Sequence, residues 1–264
     1  MSLFSRINPF KSAMYNPRDP HVRWWMSLTA PQIFDAPDYF DIWLPGMKRK
    51  GTPDTKAEWK QDIQEGWGLQ NDDDWFTTIQ DLSFGNMHGQ SWGYRFRERA
   101  LTTATEWRDK QQSVNSITAN ELAFVDMVYR HVGTAGFRAW DYSRGTYVAR
   151  AGYHVGVISE QEWAFFLNYM SHEARHWFSS WEEYCQSYLF GYNYWSYTNN
   201  KEQGVDSTDR LLGSGTPENY EALFNQLSNG TLPLHDVPWD TPLPDIDMPQ
   251  SLQDRLKRIQ AQED

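Results

Sequence analysis

Cysteine is almost absent: Cys185 is the single one in 264 residues. That excludes an intrachain disulfide, a Cys-x-x-Cys redox pair and a cysteine-rich zinc site. Long apolar runs are missing as well, since no stretch approaches the ~18 consecutive apolar residues of a membrane helix. The opening Met1-Ser2-Leu3-Phe4-Ser5-Arg6 leads into Asn8-Pro9 without the apolar segment of a secretory signal. The expectation is a cytoplasmic protein that does not enter a membrane. Basic residues are outnumbered, with 24 Lys and Arg against 35 Asp and Glu and a net charge of −11. Nucleic-acid binders rest on cationic phosphate contacts, so that partner class is excluded. The same charge permits a basic protein partner, and it also serves plain solubility.

Aliphatic residues are scarce too. Leucine, isoleucine, valine and phenylalanine together fall just short of the fifth of the chain that marks disordered sequences. Fourteen Trp and 14 Tyr offset this, because each large ring can bury ~150–250 Å². The core must therefore be built from rings more than from aliphatics. Hairpin dipeptides flanked by alternating apolar residues are missing, so little β-structure is expected.

Helix signals are abundant. Residues 1–54 carry seven prolines and read as an irregular N-terminal arm, because proline at that density precludes long helices. From Thr55 onward, Thr55…Glu58, Thr118…Glu121, Ser159…Glu162 and Ser180…Glu183 fit the capping box. Thr216-Pro217 adds a further helix start. Trp75, Ile79 and Leu82 follow the acidic Asp72-Asp73-Asp74, and Leu122, Val125, Val128, Tyr129 and Val132 form a stripe that Gly133 can stop. The expectation is all-α, with six to eight helices after the arm and a compact multi-helix domain over 55–239. An acidic, proline-containing tail over 240–264 follows it, ending in a short helix over Ser251–Gln262.

Three groups of residues carry possible chemistry. His172-Glu173-Ala174-Arg175-His176 is a literal His-Glu-x-x-His on a helix that starts at Ser159. His172 and His176 share a helix face and can bind one zinc, while Glu173 would activate the metal-bound water. No third ligand follows at the expected spacing, and Arg175 places a cation beside the metal. Trp163, Phe166, Leu167, Met170, Ala174 and Trp177 fall on the opposite, core-facing stripe. The second group is Asp141, Arg144 and Arg150, with Glu182 and Glu183 on a later helix. It reads either as a connected polar network between helices or as a ligand or partner site, because buried charges must be paired. The third is the tail: Leu211 to Asp254 contains no Lys or Arg but seven acidic residues. Asp236, Asp240, Asp245 and Asp247 make it a candidate partner-binding strip, and a strap over the core anchored by Trp239 is the alternative.

At Trp140-Asp141-Tyr142-Ser143-Arg144, Arg150-Ala151-Gly152-Tyr153 and Gly156-Val157-Ile158 the chain resembles a bacterial family called domain of unknown function 1266. Ser179-Ser180-Trp181-Glu182-Glu183-Tyr184, Ser187-Tyr188-Leu189-Phe190-Gly191 and Trp195 extend the resemblance. Trp67-Gly68-Leu69 looks like the family's opening, and Val237-Pro238-Trp239 like its closing turn. The resemblance covers roughly Thr55 to Trp239. It implies a small all-α cytoplasmic bacterial domain with no established reaction, and it does not include the two histidines.

Two functions follow as expectations. One is a non-enzymatic protein-binding protein without a cofactor, for instance an immunity factor that neutralises a delivered toxin. The alternative is a zinc-dependent hydrolase built on His172, Glu173 and His176.

Overall fold

Capping chemistry decides where many of the helices begin. The computed structural model describes residues 15–35, 55–203, 208–212, 221–223, 225–226 and 236–263. Thr55 and Glu58 close a full capping box on α3 (Lys56–Trp67), and Asn71 with Asp74 does the same for α4 (Asp72–Ser83). Then come α5 (Gly93–Ala100) and α6 (Ala104–Gln112), the latter started by a Thr103–Glu106 capping box. The helix α7 (Ser116–Val132) starts from Asn115, whose side chain accepts the Thr118 N–H. The Thr118…Glu121 pair is therefore interior and caps nothing. Gly133 ends α7 at φ 59 and opens a single 3-10 turn, Gly133–Ala135. Ser159 and Glu162 form the full box that begins α9 (Glu160–Trp177). Ser180 caps α10 (Trp181–Glu202), but Glu183 reaches back to Ser179 instead of Ser180. The Thr216-Pro217 start lies outside the described residues.

The helix α8 (Arg138–Val155) is the axis of the molecule, packed against α10, α4, α9 and α3. Thirteen of its 18 residues are buried, which leaves no polar face and hence no amphipathic stripe to read. Its crossing with α10 depends on Gly191, where a Cβ would stand 2.2 Å from the Cβ of Trp140. The fold is all-α: among the described residues there is no strand. With α11 (Thr208–Leu211) and α12 (Gln250–Glu263), ten helical segments follow the arm among the described residues, more than the six to eight expected. The surplus is in short pieces such as α5, α6 and α11. Among the described residues, no helix is long and apolar enough to cross a membrane.

The arm contributes to the core. Among its described residues are two short helices, α1 (Pro20–Ser27) and α2 (Ala30–Asp35). Pro20 occupies the first position of α1, where a missing N–H costs nothing. Val22, Trp24, Trp25 and Met26 are all buried. Residues 1–14 and 36–54 lie outside the described residues.

After Trp239 the chain runs without helix or strand from 241 to 249, then enters α12. We refer to 236–249 as the strap. Val237, Trp239, Leu243, Ile246 and Met248 pack onto the core. The Trp181 indole donates to the Val237 carbonyl (2.7 Å) and the Trp24 indole to the Trp239 carbonyl (3.0 Å). Trp24, Trp181 and Trp239 form a three-ring cluster with centroids 4.7 to 5.2 Å apart. Leu252 is buried beyond it, and Arg258 pairs with Asp73 at 2.7 Å.

Candidate functional site: a buried aspartate centre and an acidic strap

Asp141 is fully buried on α8 and completely hydrogen-bonded. Its Oδ2 accepts the backbone N–H groups of His88 (2.8 Å) and Gly89 (2.7 Å), and its Oδ1 accepts Arg144 Nη2 (2.7 Å). The loop between α4 and α5 is thereby tied to the central helix. Gly89 permits the approach, since a Cβ there would lie 2.9 Å from the Gly85 carbonyl oxygen. Arg144 also meets His88 Nδ1 at 2.9 Å and lies over the Trp140 ring, 4.6 Å from its centroid. An arginine only donates, so His88 Nδ1 accepts and the ring proton sits on Nε2. Burial, followed by the Arg144 charge, lowers the His88 pKa, and Asp141 offsets this only in part.

The five residues proposed for the polar network divide. Asp141 and Arg144 pair as i, i+3 neighbours. Arg150 is also buried, but it lies further along α8 and donates to Thr29 Oγ1 (3.2 Å) in the arm. Glu183 is spent on Ser179, accepting from its N–H and hydroxyl, and exposed Glu182 accepts from Gln186 (3.4 Å). The expected link from α8 to these glutamates is therefore replaced by helix-end capping. His88, which supplies both a backbone donor and a ring acceptor, was missed. Its place in an irregular loop gave no periodic signal.

A second buried acid was misread as a cap. Glu121 accepts from Arg95 (2.9 Å) and Tyr197 (2.7 Å), with Lys201 at 3.5 Å. Burial alone would raise its pKa; the bonds from Tyr197 and Arg95, with the Lys201 charge, outweigh that and hold it below the ordinary range. Cys185 is buried, and burial pushes its thiol well up, which suits packing more than nucleophilic chemistry.

On α9, His172 and His176 are both exposed, opposite the buried Trp163, Phe166, Leu167, Met170 and Ala174. His172 Nε2 contacts the Pro244 carbonyl (3.2 Å), and His176 packs edge-on against Trp177. Arg175 donates to the carbonyls of Trp239 and Thr241 while lying over the Trp24 ring. Among the described residues, no group of three or more His, Cys, Asp and Glu side chains stands together as a metal site requires. His172 and Arg175 fasten the strap.

The strap alternates: Leu243, Pro244, Ile246 and Met248 are partly buried, whereas Asp236, Asp240, Asp245 and Asp247 are exposed. The tail is thus a strap over the core, and its four aspartates are exposed.

Residues 62–239 match the family model described as Protein of unknown function (DUF1266). The chain belongs to this family. The DUF1266 match ends at Trp239, so Asp236 falls within it, whereas Asp240, Asp245, Asp247 and α12 lie beyond. Among curated relatives from Escherichia coli K12, "Uncharacterized protein YbeR" is 28% identical over 51% of this chain and 57% of the relative. "Uncharacterized protein YbeU" is 23% identical over 73% of this chain and 82% of the relative. The chain thus spans little more than half of the first relative's length. No solved structure matches the chain.

Proposed function

We propose that the protein acts in the bacterial cytoplasm as a non-enzymatic binding protein for a basic protein partner, and that the strap is its binding face. The observation that carries this reading is the strap's alternation, which fixes four carboxylates outward on a segment pinned from beneath. Exposed charge of one sign steers an oppositely charged partner and raises its association rate. A fold whose single cysteine is a buried thiol requires no oxidising compartment. An immunity factor that holds a basic toxin domain is the form of this role that we favour.

The test is capture of a partner followed by binding kinetics at low and high salt. Changing Asp236, Asp240, Asp245 and Asp247 to Asn is expected to slow association more than it speeds dissociation, and to flatten the salt dependence, because exposed charges are screened beyond ~8–10 Å. Equal on-rates for parent and variant would remove the strap from the interface.

A further inference from the structure

Between α9 and the strap lies an open cleft of about 370 Å³. One wall is a single face of α9, with Phe165, Tyr169 and His172 at i, i+4 and i+7. The other is the strap, where Asp245 and Asp247, two apart in a segment without helix or strand, both line the opening. Among the described residues, no Lys or Arg lines it. The cleft therefore joins aromatic side chains to a pair of carboxylates, the two features that attract a cation.

Its walls are held in place before anything binds. The Pro244 carbonyl accepts Asn168 Nδ2 (2.9 Å) and meets His172 Nε2 (3.2 Å). Asn168 is in turn fixed by the buried Trp25 indole, which donates to its Oδ1 (3.1 Å). Ile246, between the two aspartates, packs inward. A cation entering here would not have to order the strap, so little of the binding energy is lost to immobilisation. Burial and the nearby Glu173 charge raise the Tyr169 pKa, so its ring remains neutral.

We infer that this cleft receives the guanidinium of an arginine side chain on a basic protein partner, stacked on Phe165 or Tyr169 and paired with Asp245 and Asp247. This rests on the acidic strap being the binding face. Arginine is favoured over lysine because its flat, weakly hydrated fork can stack on a ring and meet two carboxylates at once, whereas an ammonium is a compact, strongly hydrated charge. The molecule already uses this chemistry internally, with Arg138 lying 3.7 Å from the Trp177 centroid.

The experiment is titration of the full chain with N-acetyl-arginine methylamide, followed by NMR of backbone amides and of Phe and Tyr rings. Shifts are expected at Phe165, Tyr169 and residues 245–247, and capped citrulline, the uncharged analogue, should leave them in place. Tyr169→Leu should weaken binding about three- to fivefold, and Asp245→Asn with Asp247→Asn should abolish the shifts. These two aspartates are exposed, so this variant remains informative if Tyr169→Leu fails to fold. Equal shifts from citrulline or capped lysine, or arginine shifts that map elsewhere, would overturn the inference. Partner kinetics separate it from the broader reading. If Asp236→Asn with Asp240→Asn slows association while Asp245→Asn with Asp247→Asn does not, the arginine cleft falls and the acidic strap stands. If neither pair matters, both fall.

Discussion

Asp141 and the four strap aspartates carry the same side chain in opposite circumstances. Asp141 has no exposure and meets two backbone donors and a guanidinium. The strap carboxylates face water, while the backbone that carries them is held by Arg175, Trp181 and Trp24. Burial makes the first acid a fixture of the fold, because leaving its partners unsatisfied would be costly. Exposure leaves the others available to a partner at almost no cost to the fold. A charge in this protein is therefore read by what surrounds it, and sequence position alone does not sort the two kinds.

The sharpest way to break that contrast is Asp141→Ala, which strands Arg144 and two loop N–H groups. It should destabilise the protein by ~3–5 kcal/mol, the cost of removing one partner of a buried pair; a melting temperature close to the parent's would show that the centre is slack. Arg175→Ala comes next, because it takes a cation from two strap carbonyls. A loss of ~1.5–3 kcal/mol is expected, with Trp239 becoming accessible to a collisional fluorescence quencher. An unaltered quenching profile would mean that the indole clusters suffice to hold the strap.

His88→Gln sharpens the comparison through pH. The folded imidazole has a lowered pKa, so the unfolded chain takes up a proton first as pH falls below about 6.5. The parent should lose stability across that window, and its advantage over the variant should shrink from pH ~7 to pH ~5. Denaturation curves showing a constant difference over that range would place the His88 ring outside the linkage. The smallest effect belongs to the four Asp→Asn changes in the strap. Their influence on stability should stay within about ±0.5 kcal/mol, as for ordinary surface positions, even where association slows.

What the sequence made legible was whatever is local. The boxes at Thr55 and Ser159, the Gly133 stop and the inward stripe of α9 all depend on residues within a few turns of one another. The pairing of Asp141 with Arg144 was readable for the same reason. What escaped depends on distant chain segments. Glu121 looked like a cap because Arg95, Tyr197 and Lys201 lie 26 to 80 residues away. His88 reaches Arg144 across 56 residues, and α8 hides its period because neighbours surround it. The His-Glu-x-x-His pattern was legible as letters, but its geometry serves the strap, whose contacts at Pro244, Trp239 and Thr241 no helical spacing could reveal.

The pairing of Trp24 with Trp239 spans 215 residues, and that separation bears on the order of assembly. Contacts between such distant segments form slowly, because the intervening chain must first be confined. During synthesis the first helix must wait until the strap has left the ribosome before this indole cluster can close. Until then Trp24 and Trp181 lack their lid, and a nascent or truncated chain ending before residue 236 presents both rings to solvent. Such a species is sticky. The acidic strap thus closes late over the ring-rich interior, and chains cut short of it are the ones that should engage chaperones or aggregate.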